Sequence, residues 1–209
     1  MSEVRHGIRN ILASHFFYDL FQTIVGANRW RRLFLESHLL GKIPENGTVL
    51  DVGCGTCRAL SILPPTVNYI GIDRNESYIN QAKKRYHDRK ATFLCEELST
   101  NLPSFVEKVD AVIMLGILHH LNDEECAAIF SVSSRILNPG GFLLTLDPAY
   151  VDEQSKLAKF VVSRDRGTAI REVDGYAKIA KQYFSRVETR LDLRPILIPY
   201  TGVTMRCAF

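Results

Sequence analysis

Asp51, Gly53, Cys54, Gly55 and Cys57 crowd together just after an apolar run, and between them they offer more than one kind of chemistry. An acid closing a strand can accept hydrogen bonds, while Gly53 and Gly55 let the backbone bend and bring a ligand into van der Waals contact. A dinucleotide fingerprint, G-x-G-x-x-G, needs a third glycine at position 58, where Arg58 stands, so the residue that packs helix on strand is missing. Cys54 and Cys57 have the C-x-x-C spacing of a dithiol site, a redox chemistry that leaves Asp51 and Gly53 without a purpose. No second thiol pair follows, which removes the zinc variant, and no metal is expected. Further on, the adjacent His119 and His120 offer a general base, and Asp147 a carboxylate to orient an imidazole.

These residues need a scaffold, and the chain is long enough for one. Its 209 residues, 46% hydrophobic, suit a single α/β domain with a full core. The formal charge of +3, with no basic run longer than the three residues Lys83-Lys84-Arg85, predicts no nucleic-acid partner. No leader and no apolar run of spanning length is visible, so no stable membrane insertion is expected. Five cysteines, an odd number, point to a reducing cytoplasm rather than to a disulfide framework. The sequence leaves the oligomeric state unknown.

Alternating strands and helices would do the positioning. Ile8, Ile11, Leu12, Phe16, Leu20, Phe21 and Ile24 stand at helical spacing, and a second helix runs through Trp30, Leu33, Phe34 and Leu39. Strands are predicted over 48–52, 69–72 (ending at Asp73), 92–94, 111–115 and 142–146, with the continuous apolar run at 111–115 marking a strand buried on both faces. A short helix over 58–63 stops at Pro64-Pro65, a second holds Tyr78, Ile79, Ala82 and Tyr86, and a third opens on a capping pair in 122–125. That third helix continues to a turn at Asn138-Pro139-Gly140-Gly141. Helices at 153–162 and 174–183 precede strands at 186–193 and 196–206, which form an antiparallel pair. Repeated βα units of this kind build a doubly wound sheet with ligands at the carboxyl ends of its strands.

The segment Leu50-Asp51-Val52-Gly53-Cys54-Gly55-Thr56 resembles the first glycine-rich motif of the class I S-adenosylmethionine-dependent methyltransferases, and the resemblance extends motif by motif from about Val49 to Pro148. It implies the fold: an α/β, doubly wound, seven-stranded sheet of order 3-2-1-4-5-7-6 with the last strand antiparallel. An N-terminal helical lid over 1–45, a cofactor core over 46–148, and late helices with the antiparallel pair over 149–209 would make a single domain. Tyr18-Asp19-Leu20-Phe21-Gln22, the block Gly116 to Leu121, and Ile198-Pro199-Tyr200-Thr201 also resemble a bacterial subgroup of these enzymes.

The resemblance also implies a cofactor, S-adenosyl-L-methionine, and a set of residues to hold it. Asp51, Gly53, Cys54 and Gly55 form the first corner, and Asp73 with Arg74 ends strand two, where an acid takes the ribose hydroxyls. Glu96 or Glu97 would meet the adenine amino group, while Leu115 and Gly116 pass the methionine portion. Cys57 departs from the pattern, because many relatives have glycine there; it fits only if the turn avoids positive φ and the sulfur packs. His119 is the expected base, charged and oriented by Asp147, and either histidine has the alternative of merely holding the turn. Phe16, Phe17, Tyr18 and Phe21 would cover the cofactor, and Tyr150, Tyr176, Tyr200, Arg164 and Arg166 are acceptor-side candidates.

The expected activity is methylation of a small molecule, foremost at an oxygen of a sugar or secondary metabolite. N- or C-methylation, for which His119 would be dispensable, is the alternative within enzymes. A repurposed fold that only binds the nucleoside, and a thiol-redox protein, are the alternatives outside that class.

Overall fold

The computed structural model describes residues 27–97, 106–164, 167–193 and 200–209. The amphipathic segment through Ile8 and Ile24, and with it Phe16, Phe17, Tyr18 and Phe21, lies outside the described residues. The first described helix, α1 (Ala27–Leu39), buries Phe34, Leu35 and Leu39 and leads to β1 (Thr48–Val52). A 3-10 turn, Arg58–Ile62, follows, then β2 (Asn68–Asp73), α2 (Glu76–Arg85) and β3 (Ala91–Cys95). Asn75 starts α2 by accepting the amides of Ser77 and Tyr78 on its side chain.

Beyond β4 (Val109–Leu115) and a second 3-10 turn, Leu118–His120, α3 spans Asp123–Ile136. Its capping box is complete: Asn122 accepts the Glu125 amide, and Glu125 accepts the Asn122 amide in return. The expected turn at 138–141 lies inside β5 (Leu137–Tyr150) as a bulge, because pairing with β4 jumps from Val109↔Leu137 to Ala111↔Phe142. Asp110 ties the bulge down, accepting the Asn138 side-chain amide at 2.9 Å and the Thr48 backbone amide at 2.7 Å.

The expected late helices are both present and both shorter, as α4 (Lys156–Ser163) and α5 (Val173–Ala180). Ser155 caps the first through the Ala158 amide, which fixes its start. A two-residue strand, β6 (Arg171–Glu172), was invisible to periodicity because it is too short to show any. β7 (Arg186–Leu193) agrees with its expected span, whereas β8 (Thr201–Ala208) begins five residues after the expected 196, following residues 194–199 outside the described set.

The sheet runs β3-β2-β1-β4-β5-β8-β7, with β6 on β5; the β8 contacts are antiparallel and the others parallel. This is the expected order with one extra strand in the count. β4 explains its unbroken apolar run: Val112 and Met114 face one hydrophobic layer with Phe130 and Leu143, while Ala111 and Ile113 face the other with Leu60 and Leu144. The carboxyl ends of β1, β2, β3 and β4 therefore emerge side by side.

Candidate active site

Asp51 and Tyr69 form the floor of the site. They sit on paired strands, both buried, and the Tyr69 hydroxyl donates to the Asp51 carboxylate. Burial pushes the Asp51 carboxyl up to about 7, against which the Tyr69 hydrogen bond pulls. Above this pair the chain leaves β1 through a loop in which Gly53, Gly55 and Cys57 all have positive φ, at 67°, 55° and 55°. The amides of Gly53 and Cys54 both donate to Ile72 O, at 2.8 and 3.1 Å, so the loop is pinned to the end of β2.

The glycines divide their work. A Cβ on Gly53 would lie 2.0 Å from Ile117 Cδ1, so its bare face is filled by Ile117. Gly55 has nothing within 4 Å of the same position and alone presents open backbone. Gly116 requires glycine for its φ of 75°, since its only near neighbour, His119 Cε1, is 3.6 Å away.

Cys57 overturns the condition set for it, because the turn does adopt positive φ. The fold imposes the left-handed conformation, and the fully buried sulfur is held against Gly71, whose missing Cβ would lie 2.9 Å from it. Cys54 turns its half-buried sulfur to the same glycine, 3.0 Å from where the missing Cβ would lie. A hydrogen bond with the Cys57 thiol, and then burial, push the Cys54 thiol far up, away from a reactive thiolate.

Asp73 closes the corner. Its Oδ2 accepts the Gly55 amide and its Oδ1 the Asn75 amide, each at 2.8 Å. The neighbouring Glu96 amide donates to Asp73 O at 3.1 Å, bringing Glu96 and Glu97 alongside with exposed side chains; Arg74 is exposed as well. A carboxylate oxygen keeps acceptor capacity after one backbone bond, so Asp73 can still take ribose hydroxyls over the open Gly55 backbone. These residues fit a nucleoside cofactor.

His119 and His120 lie in the second 3-10 turn rather than at a strand end, and their rings are tilted by 37° with centroids 4.1 Å apart. Asp147 lies within β5, which continues to Tyr150 because its end pairs with both β8 and β6. The expected dyad is nevertheless assembled: His119 Nδ1 donates to Asp147 Oδ1 at 2.8 Å, and the His119 amide reaches the same oxygen at 3.2 Å. His119 is only 5% exposed, and Gly167 packs on its ring edge where any Cβ would lie 2.1 Å from Cδ2. His120 is half-buried and the more open of the two.

Arg171 is the residue the sequence did not reveal. Its guanidinium donates to Leu118 O at 3.1 Å and Leu121 O at 2.8 Å, the two carbonyls flanking the histidines, and pairs with Asp123 at 2.6 Å. No motif surrounds it, and only the pairing of β6 with β5 brings it there. Tyr69 was equally silent, as one apolar residue among several in a strand. Of the acceptor-side candidates, Tyr150 and Tyr200 are half-buried and Arg164 is exposed. Tyr176 is removed from that set: it is buried in the core and donates its hydroxyl to Pro148 O at 3.0 Å. Tyr18 and Arg166 lie outside the described residues. Among the described residues no group of three His, Cys, Asp or Glu side chains is placed to hold a metal ion.

A family profile described as a methyltransferase domain matches residues 49–141, the stretch that builds this corner. That stretch is a methyltransferase domain, and the sheet around it has the strand order of the class I S-adenosylmethionine-dependent enzymes. The domain's methyl donor is that of the family, S-adenosylmethionine. The chain is 31% identical over 159 residues to the tRNA (carboxymethyluridine(34)-5-O)-methyltransferase of Arabidopsis thaliana, across 74% of this chain and 35% of that protein. It is 28% identical over 145 residues to the tRNA U34 carboxymethyltransferase of Campylobacter curvus, across 67% of this chain and 43% of the relative. The chain thus spans well under half the length of these curated relatives. Among solved structures, a chain in the complex between the Haloferax volcanii Trm112 methyltransferase activator and a methyltransferase shares the fold at a TM-score of 0.67 and 17% identity, covering 98% of this chain and 99% of that one.

These relatives correct two expectations. Both are named for tRNA, so neither a sugar or secondary-metabolite acceptor nor the absence of a nucleic-acid partner stands. Net charge misled because it averages over the whole chain, whereas a nucleic acid meets only one face. Among the described residues no helix is long and apolar enough to cross a membrane.

Proposed function

We propose that this chain methylates an oxygen of a modified nucleoside in tRNA, with S-adenosylmethionine as donor. The observation that carries the reading is the 31% identity to a tRNA carboxymethyluridine methyltransferase over most of this chain. When bound, the cofactor supplies a sulfonium methyl for in-line displacement. The open Gly55 backbone and the Asp73 carboxylate hold its ribose, Glu96 or Glu97 the adenine amino group, and Leu115 and Gly116 flank the amino-acid end; Asp51, Gly53, Cys54 and Arg74 shape the corner around them.

A carboxymethyl acceptor is ionised at neutral pH, since carboxyl groups titrate near 4. Its oxygen is already a nucleophile, so alignment contributes more than proton abstraction. This suits a buried His119 that, held by Asp147, positions the turn and presents the more open His120 toward the acceptor. Tyr150, Tyr200, Arg164 and Arg166 remain candidates for the acceptor side. Five cysteines, all free thiols, support a cytoplasmic setting for the enzyme.

The reading is tested by incubating the chain with methyl-labelled S-adenosylmethionine and bulk tRNA, then digesting the RNA and identifying nucleosides by mass spectrometry. Label in a methyl ester of a carboxymethylated uridine is the expected result. Label that stays out of RNA while entering small-molecule extracts would overturn it.

A further inference from the structure

The helix α4 carries an exposed face of which only Arg164, at its end, has been considered for the acceptor side. Leu157 is 58% and Phe160 56% exposed, although Ala158 and Val162 on the opposite side of the same helix are buried. Lys156 and Lys159 are exposed beside them, and the Arg164 guanidinium lies over the Phe160 ring, 5.0 Å from its centroid. The nine residues 156–164 hold three cations and no acid; the nearest acids in sequence are Glu153 and Asp165. In a chain of net charge +3, this is a local concentration of positive charge around an open aromatic ring.

Its place in the fold matters as much as its composition. α4 is entered from the end of β5, the strand that carries Asp147, and the chain leaving it returns to the histidine turn, where the Ala169 amide donates to His119 O at 3.0 Å. The helix is therefore tied on both sides to the wall of the site. Single-stranded nucleic acid is bound by cations that follow phosphates and by aromatic rings that stack bases, with arginine adding a planar cation. α4 offers all three on one face.

We infer that the Lys156–Arg164 face of α4 is a docking surface for the single-stranded loop of the RNA substrate, with Phe160 stacking a base and Lys156 and Lys159 contacting phosphates. This rests on the proposed tRNA reading. Two exposed apolar side chains on an eight-residue helix are too few to hold a protein on a bilayer, so a lipid surface is the weaker occupant.

The experiment is a fluorescence titration of the full chain, saturated with S-adenosylhomocysteine, against a labelled anticodon stem-loop RNA across a salt series. Phe160→Ala should weaken binding about five- to hundredfold, the loss of one stacked base. The Lys156→Gln, Lys159→Gln pair should lower the slope of log Kd against log salt by about 1.4. Calorimetric binding of S-adenosylhomocysteine should stay at the wild-type value in both. Should Phe160→Ala lose that binding, the exposed lysine pair decides alone. Wild-type RNA binding left intact in both variants overturns this surface and leaves the tRNA reading standing. A wild-type chain that binds and methylates no RNA brings down both. Binding instead to vesicles of phosphatidylglycerol and phosphatidylcholine, lost in Phe160→Ala, would assign the face to lipid and overturn the inference.

Discussion

Asp73, at the end of the second strand, accepts the backbone amide of Gly55 at 2.8 Å, so one carboxylate both shapes the glycine loop and faces the open backbone above it. Its other oxygen takes the Asn75 amide and so joins the start of α2 to the same corner. Removal should therefore cost more than a ligand contact. Hydrogen bonds to a charged group contribute about 1.5–3 kcal/mol each. Asp73→Ala is expected to weaken S-adenosylhomocysteine binding by roughly ten- to a hundredfold in calorimetry, and Asp73→Asn by less, since its amide oxygen can replace one acceptor. Equal affinity in wild type and Asp73→Ala would remove the residue from the cofactor site.

The buried Asp51 predicts a pH dependence of stability. Its carboxyl is raised from 3.8 to about 7 by burial, so the folded state holds a proton that the unfolded chain has released. Between those values the folded state binds more protons, and stability falls as pH rises through the window and is lowest above it. The drop is of order 4 kcal/mol at about 1.4 kcal/mol per pKa unit. Asp51→Asn keeps an acceptor for Tyr69 and carries no charge, so its melting temperature should lack this decline between pH 4 and 7. A wild-type profile that is flat over the same range would show that Asp51 is ionised in the fold without penalty.

Gly71 and the two loop cysteines predict a coupled pair of substitutions. A Cβ at 71 would lie 2.9 Å from Cys57 Sγ, 3.0 Å from Cys54 Sγ and 3.0 Å from Tyr69 Cε1. Overpacking of this kind costs about 1–3 kcal/mol, which Gly71→Ala should show in urea unfolding. Cys57→Gly removes the sulfur and releases roughly 1–2 kcal/mol of left-handed strain, at the expense of a small void. In combination it should recover part of the Gly71→Ala loss, read as a double-mutant coupling. Strict additivity would mean that the clash is relieved elsewhere.

His119 and Arg171 separate proton transfer from positioning. A general base contributes about 10²–10⁴-fold to rate. With an ionised carboxylate as acceptor, His119→Gln should reduce kcat by less than tenfold and leave the pH profile between 6 and 8 unchanged in shape. A loss of a hundredfold or more that follows a single ionisation would make it the base. Arg171→Ala removes the donor to both carbonyls around the turn and should lower stability by about 1–3 kcal/mol and reduce kcat with KM for S-adenosylmethionine little changed. Arg171→Lys, lacking the fork that spans two carbonyls, should restore only part of it.

The order of elements was legible in the sequence because each leaves a local trace. The apolar run of β4, the capping pair before α3 and the acids ending β1 and β2 are set by periodicity and by turn chemistry, which need no distant partner. The cofactor was legible through the resemblance of Leu50 to Thr56, with Asp73 beyond it, to a known methyltransferase motif. The pairing of His119 with Asp147 was legible too, since one follows β4 and the other lies on its parallel neighbour β5. What the fold decided are relations between residues far apart in the chain: Tyr69 under Asp51, Ile117 against Gly53, Arg171 clasping the histidine turn, and Cys57 forced into positive φ. Strand register and burial choose such partners, and neither is written in the type of any one residue. The acceptor was misread for a related reason. A net charge of +3 is a sum over the whole surface, and only the tertiary structure sets Lys156, Lys159 and Phe160 on one exposed face next to the site.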